Sequence, residues 1–216
     1  MRTAVKVCGV TRAEDALAAA HHGAHAIGLV FYAPSPRYLE PDAAAEIVRV
    51  LPPFVTPVGL FVDAPEEEVR EVAARAGVQL LQFHGGEAPE FCARFTLPYL
   101  KAVRVRPGVD LLQYARDFAG ARALLLDAYQ EGLHGGTGAV FDWSLIPPAL
   151  PLPVVLSGGL TPENVSEAIR RVRPWAVDVS SGVEASKGIK DVAKIAAFVK
   201  GVRNEDAGHG TGTERP

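Results

Sequence analysis

The chain has 216 residues, 48% of them hydrophobic and 22% charged, with 22 basic side chains against 25 acidic ones for a formal net charge of −3. That composition excludes a disordered or fibrous chain and carries enough apolar surface for one sizeable core. There is no basic stripe for a phosphate backbone, no apolar run of the roughly 20 residues that span a membrane, and no cysteine framework, so neither nucleic acid nor membrane is an expected partner.

The N-terminus, Met1 to Lys6, has no apolar signal core behind its positive charge, which points to the cytoplasm. From there short runs rich in Val, Leu and Ile alternate with helical patterns. Ala4 to Cys8 reads as a strand and Arg12 to His22 as a helix; then follow Ala26 to Phe31 with Asp42 to Val50, and Thr56 to Val62 with Pro65 to Ala76. Leu80 to Phe83 precedes Ala88 to Phe95, and Leu100 to Val105 precedes Leu111 to Phe118. Ala123 to Asp127 leads only to a short turn near Trp143. Val154 to Ser157 precedes the helix Pro162 to Arg171, whose threonine cap Thr161 and first-turn proline mark its start. Ala176 to Val179 precedes Asp191 to Val202.

None of these strands alternates cleanly with polar residues, the pattern of strands covered on both faces and paired in parallel. Eight strand–helix units spaced by roughly 25 residues fit an α/β fold of the single-domain (β/α)8 TIM-barrel type better than an open doubly wound sheet. The barrel is expected over residues 1–203, with a polar, glycine-rich, disordered C-terminal tail over 204–216.

In such a barrel the chemistry sits where strands end, so the residues after each apolar run are the candidates. Cys8 closes the first strand; a cysteine there is ordinarily a small buried hydrophobe, but with a cation or amide dipole beside it the thiolate is a base. Lys6, two residues earlier on the same face, is set aside as that cation. Asp127 closes the sixth strand ahead of a long glycine-rich loop, Gly135 to Gly138, and suits a general acid better than a loop cap. Asp178 occupies the equivalent place on the eighth strand, where Ser180 and Ser181 make a structural hydrogen-bonding role equally natural. Arg37 follows the stiff Pro34-Ser35-Pro36 segment and calls for a bidentate carboxylate partner, or else a surface salt bridge. His84 at the fourth strand end orients or binds substrate. His21, His22 and His25 are interrupted by Gly23, and no metal is expected. Cys92 reads as an ordinary helix residue.

Barrels of this kind commonly bind phosphate between the loops after strands seven and eight, through backbone N–H groups. Ser157-Gly158-Gly159 and Ser180-Ser181-Gly182 stand at those two places. The expected phosphate ligands are Gly158, Gly159, Ser180, Ser181 and Gly182, and the expected partner is a small phosphorylated substrate.

Six segments taken together resemble the phosphoribosylanthranilate isomerase family of tryptophan biosynthesis: Lys6 to Thr11, Gly28 to Phe31 with Ser35 to Tyr38, Gln82 to Gly85, Gly135 to Gly138 with Phe141 to Trp143, Leu156 to Leu160, and Asp178 to Glu184. The resemblance covers residue 4 to about 202. It implies an Amadori rearrangement of N-(5-phosphoribosyl)anthranilate to 1-(2-carboxyphenylamino)-1-deoxyribulose 5-phosphate without a cofactor. It also implies Cys8 as general base, Asp127 as general acid, Arg37 on the anthranilate carboxylate, and His84, Asp178 and Gly136 lining the site. The fold alone leaves two alternatives: another phosphosugar barrel such as indole-glycerol-phosphate synthase, or a non-catalytic phosphometabolite-binding protein. The synthase family carries an N-terminal extension and a catalytic lysine, whereas here the first strand starts at Ala4; Cys8 together with Asp127 argues against the second. The chain is expected as a monomer or a homodimer.

Overall fold

The structure, a computed structural model, describes residues 2–128 and 142–209. Eight parallel strands close into a barrel in chain order: β1 (Ala4–Cys8), β2 (Ala26–Val30), β3 (Thr56–Phe61), β4 (Leu80–Phe83), β5 (Tyr99–Val105), β6 (Ala123–Ala128), β7 (Val154–Leu156) and β8 (Ala176–Val179). β8 pairs back onto β1 in the register Lys6 to Asp178, which removes any free sheet edge. The helices α1 (Ala13–His22), α2 (Pro41–Val50), α3 (Glu66–Ala76), α4 (Pro89–Cys92), α5 (Leu111–Asp117), α6 (Val165–Val172) and α7 (Val192–His209) cover its outside, and a short hairpin, β9 (Glu184–Ser186) with β10 (Ile189–Lys190), follows β8.

Strand side chains alternate between two apolar environments, which explains the lack of polar alternation in the sequence. Outward residues such as Val7, Leu124, Leu126 and Val177 pack with the helices in one continuous core. Inward residues form two smaller layers: Leu100, Ala102, Leu125 and Val155 in one, Cys8, Val30 and Leu60 in the other. Polar side chains interrupt the inward set at Lys6, Gln82, Asp127 and Asp178, all buried.

Three boundaries differ from the sequence reading. α4 is a single turn rather than Ala88 to Phe95, because Phe91 and Phe95 both turn their rings onto Phe83 and the chain must re-enter the barrel at Tyr99. The Thr161 hydroxyl does accept from the Glu163 N–H (3.2 Å), but Asn164 folds back between Thr161 N (2.8 Å) and Gly159 O (2.9 Å), so regular helix begins only at Val165. α7 runs through Asn204 to His209, six residues into the stretch expected to be a disordered tail. Asp206 there accepts from both the backbone N–H and the hydroxyl of Thr3, each at 2.8 Å, and Glu205 holds Arg170 through two bonds. Residues 210–216 lie outside the described residues.

Candidate active site

The C-terminal ends of the strands surround one pocket of about 680 Å³, counted out to its open mouth. Cys8 from β1, His84 after β4 and Asp127 from β6 line it, with Arg37 from the loop after β2 on one side. Gly158 and Gly159 after β7 and Ser180 and Ser181 after β8 form its rim, and Asp178 and Gln82 lie in its wall. The expected site residues thus converge, with two exceptions. Gly136 lies outside the described residues. Gly182 does not line the pocket; a Cβ there would strike the carbonyl of Leu160, so its bare backbone lets the turn after β8 pack against the loop after β7.

Cys8 is buried in a ring of charge. Burial, the largest influence, raises the thiol above its ordinary pKa, and Lys6 is the strongest influence in the opposite direction. Lys6 therefore is the neighbouring cation that the sequence reading set aside. Same-face spacing on the inside of a narrow barrel lets its long stem climb to the level of Cys8, and a Cβ on Gly28 would lie 2.6 Å from the sulfur and 3.0 Å from the ammonium. The ammonium donates to Asp178 Oδ1 at 2.8 Å, and Ser157 Oγ donates to Asp178 Oδ2 at 3.2 Å. Asp178 is held by Lys6 and Ser157 rather than by the serines that follow it. Burial opposes the charge on Lys6, but Asp178 and Cys8 keep its pKa above the ordinary value.

Across the pocket, both oxygens of Asp127 are engaged. Oδ1 accepts from the Ala128 N–H at 2.9 Å and Oδ2 meets His84 Nε2 at 3.1 Å. The Gln82 amide lies 2.9 Å from His84 Nδ1. With that amide as donor, Nε2 carries the ring proton and donates to Asp127. The chain Gln82–His84–Asp127 fixes the carboxyl at the pocket wall.

Arg37 does have the bidentate carboxylate partner that its setting calls for, and it is the protein's own Glu184, with Nε and Nη2 at 2.7 and 2.8 Å. Lys190 from β10 also donates to Glu184 (2.9 Å) and to the Ser180 carbonyl (3.1 Å). Burial works against the Glu184 charge, yet the two cations hold its carboxyl below the usual range. With two cations on one carboxylate, this corner keeps a net positive charge beside the pocket. The rim is built for close approach: Gly158 has φ +80°, and a side chain there would enter the Ala128 backbone.

Sequence reasoning set Lys6 aside and assigned no role to Gln82, Glu184 or Lys190. Lys6 and Gln82 carried a signal, a polar residue at an inward position of an apolar strand; Glu184 and Lys190 sit on a hairpin too short to show periodicity.

Fold and site together define a barrel enzyme whose pocket holds a thiol and a carboxyl beneath a glycine- and serine-rich rim. A profile of the N-(5′-phosphoribosyl)anthranilate (PRA) isomerase family matches residues 5–201. The chain is 63% identical over 202 residues to the N-(5′-phosphoribosyl)anthranilate isomerase of Nitrosospira multiformis, covering 94% of this chain and 97% of that one. Among solved structures, the phosphoribosyl anthranilate isomerase of Thermotoga maritima is 42% identical with a TM-score of 0.85, covering 94% and 99% of the two chains. Another, in complex with reduced 1-(o-carboxyphenylamino)-1-deoxyribulose 5-phosphate, is also 42% identical with a TM-score of 0.82 and the same coverage. The chain belongs to the phosphoribosylanthranilate isomerase family, and it is an isomerase of tryptophan biosynthesis. These relatives are neither synthases nor non-catalytic binding proteins.

Proposed function

We propose that the chain converts N-(5-phosphoribosyl)anthranilate to 1-(2-carboxyphenylamino)-1-deoxyribulose 5-phosphate by an Amadori rearrangement, with Asp127 as general acid and Cys8 as general base. The observation that carries this reading is that Cys8 and Asp127, from opposite sides of the barrel, line one pocket whose rim is Gly158, Gly159, Ser180 and Ser181. A rim of backbone N–H groups and hydroxyls takes the phosphate. The net positive Arg37–Glu184–Lys190 corner takes the anthranilate carboxylate, and the ribose lies between.

Asp127 protonates the furanose ring oxygen as its bond to C1′ breaks, which leaves an iminium. Cys8 removes the C2′ proton, and that bonding pair forms the C1′–C2′ double bond of an enolamine. Tautomerisation gives the ketone. One proton leaves Asp127 and one arrives on Cys8, so exchange with solvent resets the pair. The balance is closed without an electron carrier, and the reading includes no cofactor and no metal. His84 and Gln82 hold Asp127 in orientation.

The reading includes a cytoplasmic enzyme acting as a monomer or homodimer; a Thermotoga maritima relative is described as dimeric. Among the described residues no helix is long and apolar enough to cross a membrane. In this chain Phe54, after Pro52-Pro53, is 94% exposed. The direct test adds purified protein to freshly generated phosphoribosylanthranilate, without metal or nucleotide, and follows the loss of anthranilate-type fluorescence. No change above the uncatalysed background refutes the reading.

A further inference from the structure

Lys6 and Asp178 form a buried ion pair inside the barrel. Both side chains are 5% exposed, and a buried pair of this kind is commonly replaceable by apolar residues without loss of stability. It stands directly against Cys8: Lys6 and Cys8 share the inward face of β1, Asp178 is in register with Lys6 on β8, and both the ammonium and the sulfur border the space left by Gly28. Asp178 spends its second oxygen on Ser157 and so cannot swing toward the thiol. Among the described residues Asp178 is the one oxygen acceptor of the ammonium, which leaves further N–H groups for the sulfur.

The other charges that face Cys8 are committed. Arg37, from the loop after β2, and Lys190, from β10, both bind Glu184. His84 and Asp127 face it from β4 and β6 and are engaged with one another. We propose that Lys6 is a positioning residue for the isomerase reaction: anchored by Asp178, its ammonium turns toward the Cys8 sulfur and stabilises the thiolate that takes the C2′ proton. The inference rests on the reading of Cys8 as base. Lys6 keeps its own proton throughout; the S–H bond forms as the C2′–H bond breaks, and the thiol later returns its proton to solvent. Asp178 limits the effect by sharing the ammonium, so the two partners act on Cys8 with opposite signs.

The test is a pH titration of thiolate ultraviolet absorbance, taken as the difference between each protein and its Cys8→Ser counterpart so that Cys92 cancels. Lys6→Met is expected to move the Cys8 midpoint upward by at least about one pH unit, a tenfold loss of thiolate at a given pH, and to lower kcat with KM nearly unchanged. Asp178→Asn is expected to move the midpoint downward. A folded Lys6→Met protein with the wild-type midpoint overturns the proposal. If Lys6→Met fails to fold because Asp178 is left unpaired, Asp178→Asn carries the test, and an unmoved or raised midpoint overturns it. Full turnover by Cys8→Ser overturns the underlying reading and this proposal with it, whereas an inactive Cys8→Ser with immobile midpoints in the other variants overturns this proposal alone.

Discussion

Replacing Gly28 by alanine tests the placement of Cys8 without replacing any reacting group. The new methyl would lie 2.6 Å from Cys8 Sγ and 3.0 Å from both Lys6 Nζ and the Cys8 Cα, whereas ordinary contact begins near 3.4 Å. Relief requires the sulfur to retreat by about 1 Å, or the β1–β2 pair to spread, and a misplacement of that size costs about 100-fold in rate. Overpacking should lower stability by about 1–3 kcal/mol, which in a chain of this length is a fall in Tm of roughly 2–4 °C per kcal/mol. Gly59→Ala is the control. Its methyl would meet Phe61, Val78 and Phe31 at 3.0–3.3 Å, a comparable overpacking against apolar side chains that do not line the pocket. Steady-state kinetics with phosphoribosylanthranilate should show kcat about 100-fold lower for Gly28→Ala, KM and phosphate inhibition close to wild type, and Gly59→Ala nearly fully active. A folded Gly28→Ala enzyme that keeps more than about a tenth of wild-type kcat would mean that no base depends on the position of Cys8.

Cys8→Ser and Asp127→Asn should each lower kcat by at least about 100-fold with the fold intact, read by kinetics beside thermal melts; an active serine enzyme moves the base elsewhere, with His84 next in line. Arg37→Ala should weaken substrate binding by about 1.5–3 kcal/mol, roughly 10- to 150-fold, while inhibition by phosphate ion changes little; equal losses would assign Arg37 to the phosphate end or to the fold. The Glu184 carboxyl, held below its usual range, contributes stability above the unfolded value of about 4.3 and loses it as pH falls through its folded pKa. Melts taken from about pH 6 to pH 3 should fall more steeply for the wild type than for Glu184→Gln, and parallel curves would contradict the assignment.

The barrel was legible because each strand is a short apolar run that ends in residues of obvious chemistry: Cys8, Asp127, Ser157-Gly158-Gly159. Buried parallel strands, however, look alike from both sides on the page. The shared face of Lys6 and Cys8 was legible, but that the long Lys6 stem climbs to the level of the sulfur emerges only once the barrel diameter is known. The partner of Arg37 was hidden for another reason. A carboxylate was expected, but Glu184 lies 147 residues away, joined through the closure of the fold. The helix through Asn204 to His209 is likewise a tertiary effect: a polar stretch without periodicity is helical because Thr3, 203 residues from Asp206, anchors it.

The seam between β1 and β8 has a consequence for how the protein is made. Cys8 and Lys6 are among the first residues synthesised, while Asp178, Glu184 and Lys190, which set their electrostatics, belong to the last fifth of the chain, as does Asp206, which clasps Thr3. A nascent chain therefore carries its thiol beside an unneutralised ammonium and a strand edge with nothing to pair. The charges around the thiol are completed by the same event that closes the barrel.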